Sequence, residues 1–152
     1  MEVPPQMQRI TVHVQLDSVV VQRFPVEGHL PPLPKKHFST DPAYDFFAPR
    51  EIHLRPGECA TIDTAVACHF PRGTWCLLKE RSGLAHRYGI QLLGGVIDGG
   101  YRGGIKAIMV NTGRDPVTVP RDAAFCQGIL LPSSSHSIVP GCVDIVGDRG
   151  VT

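Results

Sequence analysis

Glycine and proline break this chain every few residues. Sixteen glycines and fourteen prolines among 152 positions leave few stretches long enough for an average helix of about 11–12 residues. Proline fixes φ and has no backbone donor, and glycine is the residue that turns the chain at low steric cost. A backbone punctuated in this way can satisfy its hydrogen bonds most readily as short strands joined by turns.

The segments between the breaks agree with that expectation, because their apolar residues recur with period two. Ile10, Val12, Val14 and Leu16 share one face, with Thr11, His13 and Gln15 on the other. Ile62, Thr64, Val66, Cys68 and Phe70 share a second such face, opposite Asp63, Ala65, Ala67 and His69. Residues 74–79, 90–93, 105–110, 117–119, 125–131 and 138–146 are further strand candidates. Their spacing predicts an all-β sandwich, jelly roll or barrel. One short helix is expected over residues 82–87, held to one or two turns by Gly83 and Gly89. Residues 25–34 carry four prolines and Gly28, a stiff polyproline-like connection. Residues 133–137 form a polar connector whose adjacent serine and histidine do not make a nucleophile pair, since catalytic partners meet through the fold.

A hydrophobic share of 42% and a charged share of 19% fit a globular chain, and the length suits one domain over residues 1–152. The formal net charge of +1 supplies no field for a nucleic acid polymer or an anionic membrane. Residues 1–6 have neither the basic nor the apolar part of a secretion signal. No stretch reaches the length of about 18 apolar residues needed to span a bilayer, so an intracellular, soluble protein is expected. Five cysteines without a C-x-x-C pair support neither a disulfide framework nor a zinc knuckle, and are expected to be buried thiols.

Chemistry concentrates between Lys79 and Lys106. Lys79, Arg81, Arg87, Arg102 and Lys106 against Glu80 and Asp98 give this stretch a local charge of +3, suited to a small polyanion. Arg81-Ser82-Gly83 at the head of the short helix offers a guanidinium, a hydroxyl and backbone N–H groups, the set that holds phosphate oxygens. The same three residues also fit a serine N-cap beside a solvated arginine. Downstream, six glycines fall in the eleven residues from Gly94 to Gly104, which reads as a hairpin whose backbone something approaches closely. Asp98 and Tyr101 are its reactive or stacking side chains, although an aspartate in such a place is often a turn former.

Taken in order, Tyr44-Asp45, Arg81-Ser82-Gly83-Leu84-Ala85, Gly95-Val96-Ile97-Asp98 with Tyr101-Arg102-Gly103, Gln127 before an apolar run, and Asp148-Arg149-Gly150 resemble the five motifs of the trimeric deoxyuridine triphosphate nucleotidohydrolases (dUTPases). The similarity runs from Asp41 to Thr152. It implies a distorted jelly roll of the β-clip type, a homotrimer with active sites between subunits, and hydrolysis of magnesium-bound dUTP to dUMP and pyrophosphate. By that resemblance Arg81 and Ser82, with Gly83, hold phosphates, and Asp45 and Gln127 hold the water shell of Mg2+ or the phosphates. Asp98 binds the sugar 3′-hydroxyl and positions the attacking water, while Tyr101 packs under the deoxyribose. Gly94, Gly95 and Val96, within a stretch ending at Lys106, read uracil through the backbone, and Arg149 belongs to the arm that closes on the triphosphate.

The chemistry suits these residue types. Attack at phosphorus needs alignment and charge neutralisation, a carboxylate beside the water adds about 10²–10⁴-fold, and backbone groups matched to uracil leave cytosine's swapped donor and acceptor unpaired.

Some positions depart from the family pattern. Ala43 and Phe46 stand where glycine and leucine are usual, and Asp122 lies one residue too far from Gln127 for the fourth motif. The family continues into a glycine-rich arm bearing a phenylalanine, whereas this sequence stops at Gly150-Val151-Thr152; slow hydrolysis is expected on that account. Two other functions compete. A dCTP deaminase needs a glutamate soon after the hairpin, and none stands between Asp98 and Asp115. A weak or inactive dUTPase-like domain serving as an interaction or signalling module is the alternative from a different class.

Overall fold

The computed structural model describes residues 18–142, and the expected strand at residues 10–16 lies outside them. Ten strands and one helix follow in order: β1 (Val20–Arg23), β2 (Ala43–Phe47), β3 (Ile52–Leu54), β4 (Cys59–His69), β5 (Thr74–Glu80), α1 (Ser82–Tyr88), β6 (Ile90–Leu93), β7 (Val96–Ile97), β8 (Gly104–Asn111), β9 (Val117–Val119) and β10 (Ala124–Pro132). All pairings are antiparallel. One sheet runs β1-β4-β8-β6, a second β2-β10-β5-β7, and β3 pairs with β9 alone. The two larger sheets bury their alternating faces in one cluster that includes Ile62, Val66, Ile105 and Met109 from the first and Phe46, Cys76, Leu78 and Phe125 from the second. This is the all-β, jelly-roll-like fold that the period-two pattern calls for.

The expected face of β4 is buried throughout, from Ile62 to Phe70, but Ala65 and Ala67 opposite are buried as well. The cause is a bulge between Asp63 and Ala67. Ala65 takes φ 57° there, its N–H is held by the Asp63 carboxylate at 2.8 Å, and Phe24, directly after β1, donates its N–H to the Ala65 carbonyl at 2.9 Å. Fully buried Thr64 satisfies its hydroxyl by donating to the Ile105 carbonyl at 2.8 Å. Asn111, also fully buried, donates to the Leu54 and Asp115 carbonyls at 3.0 and 2.8 Å and accepts from Gly113 at 2.9 Å, joining β3 to the turn before β9.

Three expectations need correction. Residues 94–104 do not form a hairpin with paired arms: β7 joins β5 in one sheet, whereas β8 joins β4 and β6 in the other. Gly94 and Gly95, at φ 68° and 96°, turn the chain from the first sheet to the second, a backbone that side-chain-bearing residues adopt only under strain. Residues 138–142 carry no strand, and the remainder of that candidate lies outside the described residues. Finally, Cys68, Cys76 and Cys126 are buried but Cys59 and Cys142 are exposed, because Cys59 falls on the outward side of β4. Burial pushes the Cys68 thiol up to about 11. Burial, reinforced by Cys68, raises Cys76 to about 12, so both stay protonated and unreactive near neutral pH.

Candidate active site

The Arg81 region is assembled where three strands of the second sheet end together. β10 lies between β2 and β5, and its register sets Gln127 opposite Asp45 on one side and Lys79 on the other. Two of the expected residues thus become neighbours although 82 positions separate them in sequence. Arg81, following β5, turns its guanidinium onto the same spot: Nε meets Asp45 Oδ1 at 3.1 Å, and an Nη donates to the Ala124 carbonyl at 3.5 Å. Gln127 Nε2 donates to the Glu80 carbonyl at 2.9 Å. The Asp45 carboxylate is 18% exposed and the Arg81 side chain 41%, so the pair fixes the arginine from below while its outer edge faces solvent.

Arg81 is itself the N-cap of α1, with extended φ and ψ of −82° and 136° and no side-chain cap. The serine-cap alternative is therefore excluded, and among the described residues no side chain claims the N–H groups of the first turn, which include those of Gly83 and Leu84. Gly89, in the left-handed region at φ 71°, ends the helix through its N–H on the Ala85 and Leu84 carbonyls. A cavity of about 430 Å³ opens over this arrangement, lined among others by Arg81, Ser82, Gly83, Arg87 and Gln127. It holds two guanidiniums and no carboxylate among its lining groups, which suits a polyanion.

Sequence reasoning placed Arg87 in the basic stretch but not in the site. Its position four residues after Gly83, one helical turn on, was the available signal. Glu80 entered that reading only as one of the two acids of the stretch. Burial pushes its carboxyl up, but its own N–H, the Leu92 N–H and Lys79 outweigh that and leave it below the usual carboxylate range. Its carboxylate accepts from Leu92 N at 3.1 Å and pairs with Lys79 at 3.2 Å. It thereby ties the strand entering α1 to the strand leaving it.

The other expected residues lie elsewhere. Gly95 accepts the Leu78 N–H at 2.7 Å, and a Cβ at Gly95 or Gly99 would collide with the Leu78 or Thr74 carbonyl. At these two glycines the close approach is made by β5, while Gly94 and Gly100 face open space. Val96 is 63% exposed. Asp98 is exposed at the far end of β7, with its carbonyl accepting the Tyr101 N–H at 2.9 Å. The Tyr101 hydroxyl donates to the Gly104 carbonyl at 3.0 Å. Lys106 is exposed on β8, opposite Asp63 of β4. None of Asp98, Tyr101 and Lys106 lines the Arg81 cavity. Ile97 pairs with Cys76, so Asp98 sits level with Trp75 and lies about 20 Å along β5 from Arg81, at about 3.3 Å per residue. Arg149 lies outside the described residues.

Comparison with known proteins follows the same residues. A family profile described as dUTPase matches residues 31–143. The chain belongs to the dUTPase family. It is 36% identical over 118 residues to the deoxyuridine 5′-triphosphate nucleotidohydrolase of Gloeobacter violaceus, covering 75% of this chain and 78% of that one. It is also 27% identical over 151 residues to the Pol polyprotein of caprine arthritis encephalitis virus (strain Cork), covering 92% of this chain and 13% of that polyprotein. Among solved structures it is similar to the native EIAV dUTPase, with a TM-score of 0.71 and 24% identity, over 85% of this chain and 100% of that one. The dUTPase profile takes in Asp45, the Arg81 cavity, Asp98, Tyr101 and Gln127.

Proposed function

We propose that this chain is an intracellular, soluble dUTP diphosphatase that works as a homotrimer, hydrolysing dUTP to dUMP and pyrophosphate. The observation that carries the proposal is the acid-free cavity of Arg81, Ser82, Arg87 and Gln127 at the head of α1, in a chain of the dUTPase family. Arg81, aligned by Asp45, neutralises the phosphates, and Ser82 and the first-turn N–H groups complete the cradle.

Asp98 orients a water toward the α-phosphorus and accepts its proton. The new bond joins the water oxygen to that phosphorus, the bond from it to the α–β bridging oxygen breaks, and pyrophosphate leaves with the electron pair. Tyr101 supports the deoxyribose, and the backbone around Gly94 and Val96 reads the uracil edge. The 20 Å between Asp98 and Arg81 within one protomer exceeds what their two side chains can span. The site is therefore formed by Arg81 of one copy and Asp98 of another, an arrangement that a closed homotrimer repeats three times.

The residues present fit Mg2+ held chiefly by phosphates and water. Mg2+ takes few protein oxygens beside several waters, and among the described residues no three ligating side chains converge to cage it. Asp45 and Gln127, adjacent across β2 and β10, would hold its hydration shell, and the ion would supply charge neutralisation to the phosphates. The test is incubation of the protein with Mg2+ and dUTP, measuring pyrophosphate release, with dCTP, dTTP and UTP in parallel. Release from dUTP far above the other three supports the assignment, and no release from dUTP refutes it.

A further inference from the structure

Helix α1 borders the Arg81 cavity, yet all seven of its residues are exposed or half-buried. A helix of that length is not stable by itself in water, so its place in the fold is fixed by what holds its two ends. At the far end Thr112 donates its hydroxyl and its N–H to the Gly89 carbonyl, at 2.6 and 3.0 Å. At the near end stands Glu80, the last residue of β5.

Glu80 lies beyond the reach of β7, which pairs with β5 only at Cys76 and Leu77. Its side chain makes the connection that a strand would otherwise make. The carboxylate accepts the Leu92 N–H at 3.1 Å, and Leu92 belongs to β6, the edge strand of the first sheet. The two sheets are thereby joined at the head of α1. Leu92 is buried, so a backbone donor left unpaired there would be costly. On its other side Glu80 lies opposite Cys126 of β10, and its carbonyl accepts Gln127 Nε2 at 2.9 Å. Arg81 follows directly in the chain. One residue thus adjoins both Arg81 and Gln127 while being anchored to β6.

We propose that Glu80 is a positioning residue for the phosphate cradle: its hydrogen bond to Leu92 sets the end of β5, and with it the places of Arg81 and Gln127. The inference rests on the reading of that cavity as a phosphate site. The ion pair with Lys79 is secondary, because the Lys79 side chain is 46% exposed and exposed pairs contribute little. A glutamine at this position keeps an acceptor for the Leu92 N–H, an aspartate keeps the charge but falls one methylene short, and an alanine leaves the donor unpaired.

The test compares Glu80→Gln, Glu80→Asp and Glu80→Ala with wild type in calorimetric binding of magnesium pyrophosphate, which probes the cradle, and of deoxyuridine, which has no phosphate. Glu80→Asp and Glu80→Ala should weaken pyrophosphate binding by about tenfold or more, while Glu80→Gln stays within about threefold of wild type. Deoxyuridine affinity should be the same in all four proteins. Thermal melting and light scattering establish fold and assembly, and should Glu80→Ala not fold, the contrast between Asp and Gln decides. The proposal is overturned if Glu80→Asp binds pyrophosphate as wild type does, if Glu80→Gln is as weak as Glu80→Asp, or if deoxyuridine binding falls by the same factor. A wild type that binds pyrophosphate without hydrolysing dUTP refutes the diphosphatase reading alone, since the contrast between Asp and Gln is read from binding.

Discussion

If each site takes Arg81 from one protomer and Asp98 from another, two inactive variants should restore each other. Arg81→Ala removes the phosphate-holding guanidinium and Asp98→Asn removes the water-orienting carboxylate, so homotrimers of either should have little activity. Co-refolded at equal amounts, the chains mix at random. A site is then intact when its Arg81 comes from an Asp98→Asn chain and its Asp98 from an Arg81→Ala chain. Each condition holds for half of the chains, so about one quarter of the sites should be wild type in composition. Pyrophosphate release by the mixture should therefore rise from a background near 1% to about 25% of the wild-type rate, given the 10²-fold or larger defects expected of the parents. Subunit exchange is checked by native mass spectrometry on a tagged partner. A fully exchanged mixture that stays at background would show that both residues serve the same protomer's site, contradicting the 20 Å separation along β5 on which the shared site rests.

Other consequences can be read separately. Tyr101→Ala should narrow the preference for dUTP over UTP, because the ring under the sugar excludes a 2′-hydroxyl; equal losses on both substrates would place the discrimination elsewhere. Asn111→Ala should destabilise the fold by about 1–3 kcal/mol, since it strands the carbonyl of buried Leu54 that Asn111 now satisfies; a urea midpoint equal to wild type would refute this. Stability should also fall as the solution turns alkaline. The unfolded thiols ionise near 9 while folded Cys68 and Cys76 hold their protons to about 11 and about 12. The unfolded state therefore binds fewer protons above pH 9, and each thiol contributes a loss of up to about 1.4 kcal/mol per pH unit until its folded value is reached. Urea titrations at pH 8 and 10.5 should show a smaller drop for Cys76→Ala than for wild type, and identical drops would discount the thiols.

Much of the fold is legible because period two and turn residues are local properties. The strands expected at residues 62–70, 74–79, 90–93 and 105–110 are present as β4, β5, β6 and β8. β2 and β3 were missed for the same reason in reverse: Ala43–Phe47 is half-buried at every position but Phe46 and Ile52–Leu54 is three residues long, so neither shows a clear pattern. The glycines of residues 94–104 were noticed but misread. Composition reports that a backbone is approached closely, and cannot report whether the approaching group is a ligand or, as at Gly95 and Gly99, the chain's own β5 carbonyls.

The sequence by itself determined the class of fold, the order of the motifs and the residue types able to hold a phosphate, because turn chemistry, alternation and side-chain charge are written position by position. Tertiary structure alone decided which of those residues meet. Asp45, Arg81 and Gln127 converge because β10 pairs with β2 and β5 in one register, and a slip of one residue would send Gln127 to the other face of the sheet. Asp98 and Tyr101, closer to Arg81 in sequence than Asp45 is, are carried away from it because β7 runs back along β5 toward Thr74. Separation in the chain says little about distance in an antiparallel sheet, where register and strand direction set which side chains are neighbours.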